Sequence, residues 1–375
     1  MNESVKKPFL PHELPPQNIK WESLIPIIGK AHAGIARYDG LLRSLINPAV
    51  LLSPLIIKEA VISSRIEGTQ ASLEDVLELE AGLVEEKSER TKQDIQEIIN
   101  YRKALLAAES ELEHRDITLH LIKQIHSILM NSVRGENKNP GQFRNIQNWI
   151  GTPDTQMKEA RFIPPNPLVV DEYMEKLVNF MSSDYTDKIV QIAIVHAQFE
   201  IIHPFLDGNG RIGRLLIPLF LYYKKVLGRP VFYISEYLEA HRDEYYDRLL
   251  GVSKSNDWQS WIEYFLKAVT VQSENNIQKA QKIINLYNEL KEKFIEVTHS
   301  QFAIPLLDAL FTQPVINSST ALKLARIQNR VTGNTLLSKL FEKKLIVLLR
   351  EGRGRSPSVY ALPELINITE DKKGI

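Results

Sequence analysis

The sequence predicts a mostly α-helical protein with one short β-hairpin and a smaller C-terminal domain of mixed helices and strands. Apolar residues recur every three or four positions from residue 21 to about 110 and again from 117 to 267, which is the period of an amphipathic helix. Turn-forming residues interrupt that pattern between 140 and 165. After residue 299 the pattern changes to short helices followed by strand-like runs, which predicts a separate domain.

Composition bounds the classes of function before any motif is considered. The chain has 375 residues, of which 46 are Lys or Arg and 46 are Asp or Glu, and it contains no cysteine. The lack of thiols excludes a disulfide framework, a thiolate zinc site, an iron–sulfur cluster and a cysteine nucleophile. No run of about 18 uncharged apolar residues is present, so we expect no membrane span. The first residues lack the apolar stretch of a signal peptide, so we expect a cytoplasmic protein.

The N-terminal part is predicted to be an arm followed by helices. Residues 1–20 are rich in proline, which cannot donate to a ladder and restricts its predecessor, so an extended arm is expected. An apolar face along residues 51–66 predicts a helix, and Gly68 follows as its stop signal. Ser72, followed by acidic residues, predicts the N-cap of another helix.

The central part is predicted to be helical with one flap. Residues 140–165 carry turn residues around short apolar runs, and this pattern predicts a small hairpin. A helix over 189–199 is expected to end near His203, and residues 211–223 predict the next helix. Residues 276–293 predict a connecting helix.

The last part has the element order of a winged helix. Helices are predicted at 302–311, 319–326 and 331–344, followed by strands at 345–349 and 358–362 around a glycine-containing loop. Helix–helix–helix–strand–loop–strand is the winged-helix order, a relative of the helix-turn-helix. We therefore predict an N-terminal arm with helices (1–110), a central core (111–270), a connecting helix (271–298) and a winged helix (299–375).

One segment carries most of the chemistry, residues 203–214, with the sequence HPFLDGNGRIGR. Its Gly-Asn-Gly run at 208–210 can adopt positive φ and turn successive N–H groups into one concavity that binds anions. The helix that begins next adds a dipole and unbonded N–H donors at its N-terminus. Arg211 and Arg214 reach the same side of its first turn, where guanidinium groups match phosphate oxygens.

Two further residues of the segment predict nucleotide chemistry. Asp207 is a hard oxygen ligand suited to a Mg²⁺ ion that bridges phosphates. His203 titrates near neutrality and can take the proton of an attacking hydroxyl. A lone Gly-Asn-Gly is usually a turn and a lone histidine is usually a core residue. Here a base, a metal ligand, an anion nest and two cations fall within one short segment, which predicts nucleotidyl or phosphoryl transfer.

This segment resembles the signature of the Fic family, H-P-F-x-[D/E]-G-N-G-R-x-x-R, at every fixed position. The resemblance covers nearly the whole chain and includes residues 8–11 of the N-terminal segment, 141–144 and 162–165 of the flap, 196–200 of the preceding helix, and the pair Tyr245-Tyr246 near the adenine and ribose. It implies a helical Fic (Fido) core with a hairpin flap, preceded by N-terminal helices.

The resemblance also implies an activity, the transfer of AMP from ATP to a Ser, Thr or Tyr hydroxyl of a target protein, with the chain itself as one candidate target. His203 would be the base and Asp207 the Mg²⁺ ligand. The implied contacts with ATP come from Glu67, His203, Gly208, Asn209, Gly210, Arg211, Ile212, Gly213, Arg214 and Tyr245, and the implied flap contacts from Arg161, Phe162 and Ile163. Some relatives with Lys in place of the second motif glycine transfer phosphate, so Gly210 favours AMP transfer. Other relatives transfer phosphocholine, which leaves the donor open.

A second motif resembles the inhibitory sequence of the same family, [S/T]-x-x-x-E-[G/N], with Ser63, Glu67 and Gly68 at its fixed positions. A carboxylate pairs bidentately with a guanidinium, so we expect Glu67 to engage Arg214 and keep it from the γ-phosphate of ATP. A misalignment of this kind slows transfer by about 100-fold. Removal of AMP from modified protein with the help of Glu67 is an alternative.

Basic residues are concentrated near the C-terminus. Against Glu342 and Glu351 stand nine basic residues: Lys323, Arg326, Arg330, Lys339, Lys343, Lys344, Arg350, Arg353 and Arg355. A basic winged helix suits phosphate contacts on DNA, although winged helices also dock proteins. A DNA-binding regulator with a silent, nucleotide-sensing Fic core is therefore the alternative to an enzyme.

Two other expectations concern metals and assembly. A metal hydrolase fits less well, because His120 and His126 do not share a helix face and no His–carboxylate set has zinc spacing. A homodimer through the apolar N-terminal helices is a further expectation.

Overall fold

The computed structural model describes residues 7–45, 47–83, 88–131, 138–151, 157–354 and 356–371, and these ranges are mostly helical, as predicted. The helices are α1 Trp21–Arg43, α2 Pro48–Leu51, α3 Ser53–Ile66, α4 Leu73–Ala81, α5 Glu89–Leu112, α6 Leu119–Leu129, α7 Val170–Ser182, α8 Lys188–Ile202, α9 Asn209–Tyr223, α10 Ser235–Ala240, α11 Arg242–Ser255, α12 Trp258–Thr298, α13 Ala303–Thr312, α14 Ser318–Leu324, α15 Arg330–Glu342 and α16 Pro363–Glu370. The strands are β1 Val315–Asn317, β2 Val347–Arg350 and β3 Val359–Ala361.

The chain forms two compact units, each assembled from separate stretches of sequence. The first unit contains Met1–Asp39, Ile62–Gly68 and Asn100–Glu274, and the second contains Gly40–Val61, Thr69–Ile99 and Asn275–Ile375. The domain boundaries predicted from the sequence stay predictions.

The core of the first unit is built around α8 and α9, which pack against each other. All residues of α9 from Asn209 to Leu221 are buried, and α8 is buried along almost its whole length. Asp187 caps α8 by accepting hydrogen bonds from the amides of Ile189 and Val190, which satisfies donors that a helix start leaves open. A helix that is apolar on all sides belongs inside a core, so both ends of the 203–214 segment are fixed by buried helices.

The second unit contains a small antiparallel sheet in the order β1-β3-β2, in which Ala361 pairs with Val315 on one side and with Val347 on the other. Gly333 of α15 packs directly against Leu322 of α14, because a Cβ at position 333 would overlap the leucine side chain. The sequence missed β1, which lies between the first two helices of this region. The winged-helix assignment stays a prediction, and Arg355, predicted to lie in the wing, is outside the described residues.

The structure confirms several local predictions and changes others. Gly68 has a φ of 98° just after α3, and Ser72 forms a capping box with Asp75 at the start of α4. The predicted hairpin is reduced to one antiparallel bridge in the described residues, between Ile150 and Phe162.

The lengths and the apolarity of the helices can be compared with those that a membrane span requires. Within the described ranges, no single helix is both long enough and apolar enough to cross a membrane, and only the bent pair Trp21–Arg43 and Pro48–Ile66 reaches that length and apolarity when taken together.

Candidate active site

The loop between α8 and α9 places His203 close to the start of α9. His203 ends α8 in the left-handed conformation, with φ 49° and ψ 60°. Asn209 closes the loop, because its Oδ1 accepts from the amide of Phe205 and its Nδ2 donates to the carbonyl of Phe205, both at 2.8 Å. Gly208, with a φ of 77°, then starts the helix. The side chain of Asn209 is thus used to shape the loop, and the amides of the first turn of α9, which have no acceptor within the helix, can face an anion.

Arg144 stabilises this turn through hydrogen bonds to backbone carbonyl groups. It is 2% exposed, and its Nε donates to the carbonyl of His203 at 2.9 Å while its Nη2 donates to the carbonyl of Pro165 at 2.6 Å. Burial lowers the pKa of Arg144 to about 10, so the side chain stays charged at neutral pH. The resemblance assigns Arg144 to the flap, and the structure joins Arg144 both to Pro165 of that segment and to the His203 turn.

His126 supports the other side of the loop. Its Nδ1 accepts from the amide of Gly141 at 2.8 Å, so the proton is on Nε2, which donates to the carbonyl of Asp207 at 3.0 Å. The ring stacks on Phe205 with a centroid distance of 3.7 Å. Burial lowers the pKa of His126 to about 4. His126 is therefore uncharged at neutral pH and supports the loop through its hydrogen bonds. No group of three or more potential metal ligands occurs among the described residues.

The imidazole of His203 has one proton-accepting nitrogen that forms no hydrogen bond with the residues that the structure describes. Its Nδ1 lies 3.3 Å from the carbonyl of Glu200, and a carbonyl only accepts, so Nδ1 carries the proton and Nε2 carries the lone pair. Burial lowers the pKa of His203 to about 4. The ring is therefore neutral at pH 7 and able to take a proton.

The first turn of α9 gathers the polar groups of the motif. Arg211 and Arg214 are 3% and 1% exposed. The carboxylate of Asp207 is 46% exposed, and its Oδ1 accepts from the amide of Gly208 at 2.6 Å and from Arg211 Nη2 at 3.3 Å. The side chain of Ile212 is fully buried and its amide donates to the carbonyl of Gly208 at 3.1 Å, so a contact of Ile212 with a ligand stays a prediction. The arrangement presents positive groups at a helix N-terminus, as an anion site requires.

The end of α3 occupies this positive site. Arg214 donates from Nη2 to Glu67 Oε1 at 2.7 Å and to the carbonyl of Ser63 at 2.7 Å, and from Nε to Ser63 Oγ at 2.9 Å. The Glu67 carboxylate also lies against Gly210, because a Cβ there would overlap Oε1. Burial raises the pKa of Glu67, but the charge and the hydrogen bond of Arg214 together with the charge of Arg211 outweigh it, and the net change is a lowering. The predicted pairing of Glu67 with Arg214 is thus present.

Two predicted groups of contacts have other partners in the structure. Tyr245 is 1% exposed and donates from its hydroxyl to Nε2 of His196 at 2.9 Å, which places the phenol behind the site rather than at its surface. Among the predicted flap residues, Arg161 pairs with Asp247 at 2.6 Å, Phe162 bridges to Ile150, and Ile163 is buried. Direct contact of these residues with a nucleotide or a target stays a prediction.

Sequence comparison identifies the family to which this site belongs. The model of the Fic/DOC family matches residues 116–221, and the model of the Fic/DOC family N-terminal region matches residues 25–110. The chain belongs to the Fic/DOC family. The matched Fic segment includes α6 to α8 and the motif, and the matched N-terminal segment includes Glu67.

Relatives and solved structures agree with this assignment. A probable protein adenylyltransferase of Aquifex aeolicus is 28% identical over 229 residues, which are 61% of this chain and 65% of that protein. A protein adenylyltransferase of Caenorhabditis elegans is 30% identical over 170 residues, or 44% of this chain and 29% of that protein. A crystal structure of a Fic family protein from Desulfovibrio desulfuricans has a TM-score of 0.59 and 21% identity, and the match covers 93% of this chain and 98% of that one. This Fic chain therefore spans less than two thirds of either curated relative, and the structural likeness shows the fold alone.

Proposed function

We propose that this Fic protein transfers AMP from ATP to a hydroxyl group of a Ser, Thr or Tyr side chain, with the chain itself among the candidate targets. The observation that carries the proposal is the geometry of the motif. A neutral histidine with its Nε2 lone pair available directly precedes a helix N-terminus whose first turn holds Arg211 and Arg214. A base and an anion site side by side suit the attack of a hydroxyl on a phosphate.

The residues divide the reaction between them. His203 Nε2 takes the proton of the target hydroxyl, whose oxygen then attacks the α-phosphorus of ATP, and pyrophosphate leaves with its bonding electrons. The backbone amides of the first turn of α9 and the two arginines hold the phosphates, because amides at a helix start and guanidinium groups both favour negative charge. Positioning and charge stabilisation are the main means by which proteins speed such transfers.

Asp207 fits a magnesium ligand. Its carboxylate is half-exposed at the start of α9, and magnesium sites in nucleotide enzymes commonly use one or two carboxylates together with substrate phosphates. Mg²⁺ held there supplies positive charge that offsets the negative charge of the phosphates.

Glu67 restrains the enzyme in this proposal. Its carboxylate lies on Gly210 and Arg214, where a phosphate of ATP would otherwise bind. A bound nucleotide is then displaced from the alignment that attack requires, and a misplacement of about 1 Å costs about 100-fold in rate.

A labelling assay tests both parts of the proposal. Purified wild type, Glu67→Gly and Glu67→Gly with His203→Ala are incubated with Mg²⁺ and with ATP labelled at either the α- or the γ-phosphate. We expect label on protein from the α position alone, much more of it in Glu67→Gly, and none after His203→Ala. Label from the γ position would instead indicate phosphate transfer, as in a kinase. Equal labelling of wild type and Glu67→Gly would contradict the proposed restraint by Glu67.

A second candidate function is DNA binding by the second unit. Seven of the basic residues in this region have exposed side chains. They are Lys323, Arg326, Arg330, Lys339, Lys343 and Lys344, on or next to α14 and α15, and Arg353, between β2 and β3. Phosphate contacts made by such residues lose affinity steeply with salt. A gel shift at low and at moderate salt, with Lys339→Glu as the matched variant, tests this: binding that is weakened by salt and by the variant supports it, and no shift at low salt rejects it.

A further inference from the structure

Glu200 has a buried carboxyl oxygen that has no role in the proposed reaction. It lies on α8, three residues before His203, and its Oε1 is buried and finds no hydrogen-bond partner among the described residues. A buried polar atom without a partner is costly and rare in a native structure. An apolar side chain at this position would avoid the cost.

The position of this carboxyl group is defined by α9. A Cβ at Gly213 would overlap Glu200 Oε1 and lie 3.2 Å from Glu200 Cδ, so the carboxyl packs directly on the glycine backbone. The residue after Gly213 is Arg214, whose charge acts on Glu200. The carboxyl group therefore packs on the residue before Arg214 and lies within electrostatic reach of the guanidinium that Glu67 now pairs with.

Four titratable groups surround Glu200. Arg214 favours the ionised carboxylate, Glu67 opposes it by repulsion, the phenol of Tyr245 lies within electrostatic reach, and His203 is one turn along α8. Burial is the largest influence and raises the pKa of Glu200 to about 8. While Glu67 neutralises Arg214, Glu200 thus remains protonated at neutral pH.

We propose that Glu200 is a positioning residue that takes over Arg214 when Glu67 leaves it, so that one guanidinium has two carboxyl partners used in turn. The inference rests on the proposed function, in which departure of Glu67 opens the enzyme. Without Glu67, Arg214 is a buried cation with no other ion-pair partner in the described part of the chain, and ionisation of Glu200 restores the balance. A carboxylate on one edge of the guanidinium leaves the other edge aimed at the γ-phosphate, since a planar fork can serve two acceptors.

The first experiment does not depend on any transfer activity. Glutamate side chains are labelled with ¹³C at Cδ, the Glu200 signal is assigned by its loss in Glu200→Gln, and its pKa is measured by NMR in wild type and in Glu67→Gly. We expect this pKa to fall by about 2 in Glu67→Gly, since loss of a like charge and gain of an unpaired cation both lower it. An unchanged or higher pKa overturns the proposal.

The second experiment measures the consequence for ATP. In the Glu67→Gly background, Glu200→Gln is expected to raise the Kd and the KM for ATP about tenfold, the size of one lost charged hydrogen bond, with a smaller change in kcat. Glu175→Gln, an exposed site on α7, is the matched control and should change neither constant. An unchanged or lower Kd for ATP in the double variant overturns the proposal. If no variant transfers AMP, the proposed function fails, while the NMR comparison and the Kd still decide the role of Glu200.

Discussion

His203 adopts a left-handed backbone conformation that residues other than glycine rarely adopt. The structure maintains it with hydrogen bonds on both sides, from the His203 amide to the carbonyl of Phe199 and from Arg144 to the His203 carbonyl. Strained conformations of this kind persist when their surroundings over-determine them. The aim of the imidazole therefore depends on a buried arginine from a distant part of the sequence.

We predict that Arg144→Lys, made in the Glu67→Gly background, lowers kcat about 100-fold, because lysine lacks the fork that joins His203 to Pro165 and a small misplacement of the base is costly. Steady-state labelling with ATP measures it. Arg229→Lys is the control, since Arg229 is a partly buried arginine that pairs with Glu109. Equal losses in both variants would point to general destabilisation.

The sequence predicts the partners of residues that belong to a recognisable motif. It does not predict the partners of side chains that bind backbone carbonyl or amide groups. Glu67 and Arg214 were paired in advance because a carboxylate and a guanidinium attract by type. Arg144 and His126 bind carbonyl and amide groups, which every residue has, so their partners depend on tertiary structure. The orphaned oxygen of Glu200 likewise becomes visible only when α8 and α9 are packed.

The end of α3 is tied down by a second arginine besides Arg214. Arg242, the first residue of α11, donates from Nη2 to the carbonyl of Ile66 at 2.8 Å. Carbonyls at a helix end lack partners within the helix, and a basic side chain there is favourable. The position of Glu67 is thus fixed through the backbone of its neighbour as well as through its own carboxylate.

We predict that Arg242→Ala raises the AMP transfer rate of the otherwise unchanged chain about fivefold, the effect of losing about 1 kcal/mol at a helix terminus. The same change should add nothing in Glu67→Gly, because no restraint is left to loosen. Arg248→Ala, also on α11 and paired with Glu244, is the control. A rate for Arg242→Ala that matches wild type would contradict the prediction.

Long elements were predicted less completely than short signals. The structure continues α12 without a break from Trp258 to Thr298, whereas the sequence suggested only a helix over 276–293 at that end. Thr270 and Ser273 weaken the helical pattern, but their hydroxyls donate to the carbonyls four residues back, an arrangement that keeps them in a helix. The sequence does not predict strand β1, because three residues are too few to show an alternation of apolar and polar side chains.

Buried titratable groups make the stability of the whole chain depend on pH in two windows. His126 and His196 are 0% and 1% exposed, and burial lowers the pKa values of His126, His196 and His203 to about 4, about 3 and about 4. Below pH 6.5 the unfolded chain binds the extra protons, so stability falls with falling pH, by at most about 1.4 kcal/mol per pH unit for each histidine. Glu200 acts in the opposite sense, since its raised pKa makes the folded chain hold a proton between 4.5 and about 8.

We therefore predict a midpoint of thermal unfolding that drops from pH 6.5 towards pH 4.5, where three histidines outweigh one glutamate, and that also declines from pH 6.5 to pH 8. Calorimetry over this range measures both limbs. Glu200→Gln should flatten the alkaline limb and steepen the acid one, and His126→Gln should flatten the acid limb. An alkaline limb that Glu200→Gln leaves unchanged would mean that Glu200 is ionised in the wild type.

At the scale of the molecule, the fold class and the family were accessible from the sequence, because helical periodicity and a contiguous motif are local properties. The two compact units were not, because each is assembled from separated stretches and Ile62–Gly68 belongs to a different unit from the residues on either side of it. Periodicity along the chain cannot report which stretches pack together.

The contact between Glu200 and Gly213 also limits how this sequence can diverge. The carboxyl group fills the space in which any side chain at position 213 would begin, so a change at one position acts on the other. A homologue with alanine at 213 must either turn this flexible carboxyl group away from α9 or carry a shorter residue at 200, and in both cases it loses the second acid near the arginine. Joint inspection of these two columns in an alignment would therefore separate homologues that retain this second acid from those that have given it up.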